Sequence, residues 1–230
     1  MRSSPTEITG KSLLEAVEAS DVDRALEICV KMVSQGIDPW KIHLSLFPTV
    51  QRVQNPPFIN PHLPKVYGIY RELVPYLSEG RTGAFLSLEI REYARRPKME
   101  KIPRVNRLPP PVGFKDIETA IRANDPEKTA ALMATFLKQE SGVEFARRLL
   151  LLGSGYLNSS LGHSVSCTAF ILSEMLERTD LDPWPALSAL ALYFCKGRFS
   201  TTPALIKSNP YTEKEASNHP MLRATSGRGF

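Results

Sequence analysis

The sequence holds only three cysteines in 230 residues, Cys29, Cys167 and Cys195, each inside a helical pattern. An odd, sparse and widely spaced set excludes a disulfide framework and suits a reducing compartment. Long apolar runs are missing as well. The longest is interrupted, as at 145–152, where Arg147 and Arg148 intervene, and none approaches the ~20 residues that cross a bilayer. The opening "MRSSPTEITG" lacks the apolar centre of a secretion signal. A cytoplasmic protein with no membrane span is therefore expected. Alternating Val, Ile and Thr runs beside turn dipeptides are absent too, so no strand is predicted.

What is present is mildly basic, with a formal net charge of +5. The excess gathers at "REYARRPKMEKIPRVNR" (91–107) and in the tail from Lys196 onward. Solvated charge is the ordinary reading of such a bias; contact with phosphate is the other.

An internal repeat organises the chain. "KSLLEAVEASDVDRALEICVKMVSQG" (11–36) reads like "KDIETAIRANDPEKTAALMATFLKQESG" (115–142), aligning Lys11 with Lys115, Ala16 with Ala120 and Asp21 with Asp125. Further on "IYREL" (69–73) aligns with "ILSEM" (171–175), which sets Glu72 opposite Glu174. Such self-similarity marks tandem structural units. The expected architecture is all-α: two pseudo-equivalent units of about five helices, 10–97 and 114–198, packed as one helical body. Between them 98–113 is a Pro-rich basic linker, and 199–230 is an extended or disordered tail.

Helix boundaries follow from caps. Asp21 and Asp125 precede helices as N-caps, with Pro126 at a first helical position, and Gly36 is a C-terminal stop. Asp38-Pro39 opens a third helix reaching about Val53. In the fourth, Leu63, Val66, Tyr67, Tyr70, Leu73, Val74 and Leu77 follow a spacing of three and four, predicting one buried face.

Four histidines carry the candidate chemistry. His43 reads as a partly exposed helix residue and His219 as a tail residue. His62 and His163 differ, because each stands at the start of the fourth helix of its unit, in "INPHLPKVYGIYREL" and "SLGHSVSCTAFILSEM". Duplicated folds often bring equivalent helices together near a pseudo-twofold axis, so the two imidazoles are candidate acid–base groups. Glu72 and Glu174 recur on the same helices and are candidates to orient them, with a salt bridge to a residue such as Arg71 as the alternative. His163 and Cys167, at i and i+4, could present two metal ligands, though no second motif supplies the rest. Tyr67 and Tyr156 are candidate pocket hydroxyls. "GSGYLNSS" (153–160) follows no predicted strand and matches neither a nucleophile elbow nor a phosphate loop.

"NPHLPKVYGIYREL" resembles the helix-opening segment of questin-oxidase-like proteins. "LGHSVSCTAFILSEML" followed by "PALSALALYF" is similar to a later segment of that family and to helical repeats found with Rieske-type domains. The resemblance implies an all-α oxidoreductase acting on a small aromatic or polyketide-like molecule, with His62 and His163 lining the pocket. It names no cofactor. The competing expectation is a non-catalytic helical module that docks on a larger, RNA-containing or protein assembly through 95–113 and 199–230.

Overall fold

A computed structural model describes residues 10–55, 62–156 and 162–197. The tail 199–230, with His219, and the residues Asn60 and Pro61 before His62 lie outside the described residues. The helices, in order, are α1 (Gly10–Glu18), α2 (Val22–Ser34), α3 (Pro39–Ser45), α4 (Phe47–Val50), α5 (Leu63–Leu73), α6 (Glu79–Arg95), α7 (Phe114–Arg122), α8 (Pro126–Gln139), α9 (Gly142–Ser154), α10 (His163–Glu177) and α11 (Trp184–Lys196). A 3-10 turn, Val74–Tyr76, ends α5. Among the described residues there is no strand, only an isolated bridge between Val53 and Lys98. None of the described helices is long and apolar enough to cross a membrane. The fold is all-α.

The α1–α2 and α7–α8 junctions have the same local solution. Ser20 and Asn124 adopt φ of 60° and 54°, the left-handed conformation that closes a helix. The next N–H then reaches back five residues, Asp21 to the Ala16 carbonyl at 3.0 Å and Asp125 to that of Ala120 at 3.1 Å. The same two aspartates cap the following helix, accepting from the Arg24 N–H at 3.1 Å and the Lys128 N–H at 3.0 Å. One carboxylate thus satisfies donors that a helix start would leave orphaned.

Apolar side chains gather in two clusters. The first joins Leu13, Ile28, Ile42, Phe47, Tyr67 and Tyr93 from α1–α6. The second joins Ile117, Met133, Phe145, Ile171 and Leu190 from α7–α11. Segment 98–113 is tied to both. Met99 donates its N–H to the Arg52 carbonyl at 2.7 Å and accepts from Arg52 Nη1 at 2.6 Å, yet its side chain sits in the second cluster with Ile102. The Ile102 carbonyl accepts from Trp184 Nε1 at 3.1 Å.

Two predicted helices differ in detail. The third is split into α3 and α4. In α5, Leu63, Tyr67 and Tyr70 are buried while Val66 and Leu73 are exposed. The apolar residues of α5 follow two stripes offset around the axis, and only the stripe spaced 63, 67, 70 meets the core.

Helix α10 is the central strut, packed on both α9 and α5. Glycines make both approaches possible. A Cβ on Gly68 of α5 would collide with the Phe170 ring, and one on Gly153 of α9 would stand 2.7 Å from the Ser164 carbonyl oxygen. Ser164 adds a hydrogen bond from its hydroxyl to the Gly153 carbonyl at 2.6 Å. Glycine to alanine in a helix ordinarily stabilises by about 0.5–1 kcal/mol. At Gly153 the sign should reverse, because the obstructing atom is backbone and cannot rotate away. Gly153→Ala is expected to cost about 1–3 kcal/mol in urea unfolding; a neutral or stabilising result would mean that α9 and α10 separate freely.

Candidate functional site

The two helix-start histidines are brought together by the α5–α10 crossing. His62 immediately precedes Leu63, with Pro64 in the first turn of α5. His163 is the first residue of α10, after Gly162, whose φ of 78° makes the sharp entry. Phe170 lies on Gly68, and lower down Arg71 donates to Glu174 at 3.0 Å and pairs with Glu177. These contacts run in order along both helices, so α5 and α10 lie side by side with their N-termini level. The imidazoles of His62 and His163 consequently stack, with ring centroids 4.2 Å apart and planes 26° from parallel. Both are half-buried.

A chain of hydrogen bonds fixes the protonation of His62. Glu92 holds Arg96, accepting from its Nη2 at 3.0 Å. Arg96 Nη1 donates to Asn55 Oδ1 at 2.7 Å. A guanidinium has donors only, so the amide must turn its oxygen toward Arg96 and its NH2 toward His62. Asn55 Nδ2 lies 3.0 Å from His62 Nδ1, which must therefore accept. His62 is neutral, with its proton on Nε2. Its electrostatic setting agrees: burial first, then the neighbouring His163, Lys65 and Arg96, push its pKa down to about 4. The positive ends of two helices at the pair oppose an imidazolium in the same direction.

The other expected residues lie elsewhere. Glu72 is exposed on α5 and Glu174 is buried against Arg71. Ten residues or more separate these carboxylates from the histidines on their own helices, about 15 Å along the axis. Neither orients an imidazole. Tyr67 is buried in the first cluster and Tyr156 in the second. Cys167 is fully buried, and burial pushes its thiol up to about 11. Among the described residues no group of three or more His, Cys, Asp or Glu side chains is assembled for a metal ion.

His43, expected as a partly exposed helix residue, is instead among the most buried polar groups. It is fully buried on α3, its Nδ1 2.8 Å from Glu89 Oε2 of α6. The Tyr93 hydroxyl donates to the other oxygen of Glu89. Burial pushes the Glu89 carboxyl up, and the bond to His43 opposes that rise. One signal was available: Leu86, Glu89, Ile90 and Tyr93 share a helical stripe, which puts a carboxylate in an apolar register.

Comparison of the chain with family models, curated proteins and solved structures finds no match.

The hydrogen-bond chain makes an NMR prediction. Imidazole nitrogen shifts should report Nε2–H for His62, with a pKa near 4. Asn55→Asp replaces a donor by an acceptor, so the proton should move to Nδ1 and the pKa should rise. A change of fold alone would not exchange the tautomer. Stability carries the same signature. An unfolded histidine takes a proton below about 6.5, whereas native His62 stays neutral until pH nears 4. The unfolded state binds more protons in that window, so stability should fall as pH drops from about 6.5 toward 4. His62→Ala should flatten that part of the profile, measured by urea unfolding across pH.

Proposed function

We propose that the chain is an oxidoreductase-like helical protein whose small-molecule site is built on the His62–His163 pair. The observation that carries this reading is the stacking of the two rings at 4.2 Å with one of them held neutral. Two imidazoles in contact cannot both be charged without repulsion, and His62 is already committed to the neutral form. His62 is then a fixed, neutral neighbour to His163. Asn55 and Arg96 are positioning residues. The substrate class suggested by the family resemblance, a small aromatic or polyketide-like molecule, suits a site offering flat, hydrogen-bonding rings.

The same reading treats the chain as a duplication, with residues 10–97 and 114–198 as copies of one unit. The matched junctions at Ser20–Asp21 and Asn124–Asp125 support it, as does the level pairing of α5 with α10. A cytoplasmic, reducing setting accords with three free cysteines.

The docking-module reading has less support. Cations of segment 95–113 are engaged within the molecule: Arg95 and Arg96 with Glu92, Lys101 with Glu18 at 3.3 Å, and Arg104 with Asp182. A phosphate-binding strip would keep such charges outward for a partner.

Thermal unfolding with a panel of phenols, naphthols and hydroxyanthraquinones tests the proposal. At least one compound should raise the melting temperature of the native protein, and His62→Ala and His163→Ala should each abolish that rise while remaining helical by circular dichroism. Stabilisation that persists in both variants, or none across the panel, overturns it.

A further inference from the structure

Buried polar atoms without a partner are few in native proteins, because each has given up its hydrogen bonds to water. Four occur around the meeting of α3, α5 and α10. His43 Nε2, Tyr67 Oη, Tyr70 Oη and Glu174 Oε2 are all buried and have no hydrogen-bond partner among the described residues. His43, Tyr67 and Tyr70 have no exposed surface, and Glu174 is 3% exposed.

Ring contacts hold three of these side chains together. Tyr67 stacks on the His43 imidazole at 4.0 Å, with planes 18° apart, and Tyr70 meets the same ring edge-on at 4.4 Å. Glu174 of α10 reaches the same face of α5, where Arg71, one turn after Tyr67, donates to its Oε1 at 3.0 Å. The neighbouring groups are already occupied. Glu89 gives one oxygen to His43 and the other to Tyr93, and Arg71 takes Glu174 Oε1.

The donors and acceptors of the four atoms define what can satisfy them. His43, holding its Nδ1 proton toward Glu89, offers a lone pair at Nε2, and Glu174 Oε2 is also an acceptor. The two phenols both donate and accept. A carbonyl compound could serve the phenols alone, and a cation only the acceptors. Water, with two donors and two lone pairs, complements all four; an alcohol hydroxyl, with one donor, complements the two phenols and one of the acceptors.

We propose that His43, Tyr67, Tyr70 and Glu174 form an internal site for O–H groups, supplied by water or by the hydroxyl of a small alcohol. Glu89 behind the imidazole anchors the ring through Nδ1, as carboxylates do behind histidine ligands, which leaves Nε2 to face the O–H group. This site is distinct from the stacked histidine pair and stands whether or not that pair binds a substrate.

Tyr67→Phe and Tyr70→Phe separate an occupied site from an empty one, since each deletes a hydroxyl and nothing else. With an O–H bound, each variant should melt lower by about 2–4 °C. If the hydroxyls lack any partner, removing them relieves a buried polar group and the melting temperature should rise; a rise or no change in both variants overturns the proposal. NMR of the full chain gives the second readout. A water cross-peak to the His43 ring protons that survives an ethanol titration assigns water. A saturable shift of those protons with ethanol assigns an alcohol hydroxyl. Neither signal, in a protein whose His43 resonances are observed, also overturns the proposal.

Discussion

The close crossing of α5 and α10 is the constraint on which most of the molecule depends. It exists because Gly68 has no side chain where the Phe170 ring must lie. A glycine inside a helix costs about 0.5–1 kcal/mol in backbone entropy, and the contact it permits offsets that loss. Once the two helices are this close, their other contacts follow in order. The helix-start histidines stack at one end, and Arg71 reaches Glu174 and Glu177 toward the other. A second glycine, Gly153, brings α9 against the same strut, so α10 couples the two apolar clusters.

Two histidines show how the surroundings of one side-chain type decide its chemistry. His62 meets an amide donor locked by an arginine, with Lys65 and Arg96 nearby, and is kept neutral with its proton on Nε2. His43 meets a buried carboxylate and turns Nδ1 toward it. The first arrangement disfavours charge on the ring; the second anchors the ring through Nδ1 and leaves Nε2 for another partner. Tyr67 lies on α5 and His62 caps its start, so this helix contributes to both polar centres.

The chain between the two helical groups has a structural task. Its backbone pairs with 52–54, while Met99 and Ile102 insert into the cluster beyond. Prolines keep this segment extended, and the ion pairs of Lys101 and Arg104 fasten it at both sides. Lys101 and Arg104 are thus paired within the molecule, which composition alone does not reveal.

Local order was legible without the structure. The caps at Asp21, Asp38 and Asp125, the stop at Gly36 and the three-four spacing of apolar residues determined that the chain is helical and where its helices begin. Those signals act within a few residues, through hydrogen bonds and side-chain periodicity. They also placed His62 and His163 at corresponding helix starts, which made the pair worth watching. Tertiary structure alone decided what each imidazole touches. Arg96 and Asn55 are 41 residues apart, and His43 and Glu89 are 46 apart, so no local spacing links them. It likewise decided that Glu174 serves Arg71, that Cys167 is core, and that only one stripe of α5 is buried. Each of those outcomes depends on which helix lies opposite, and that was set by where glycine let two backbones approach.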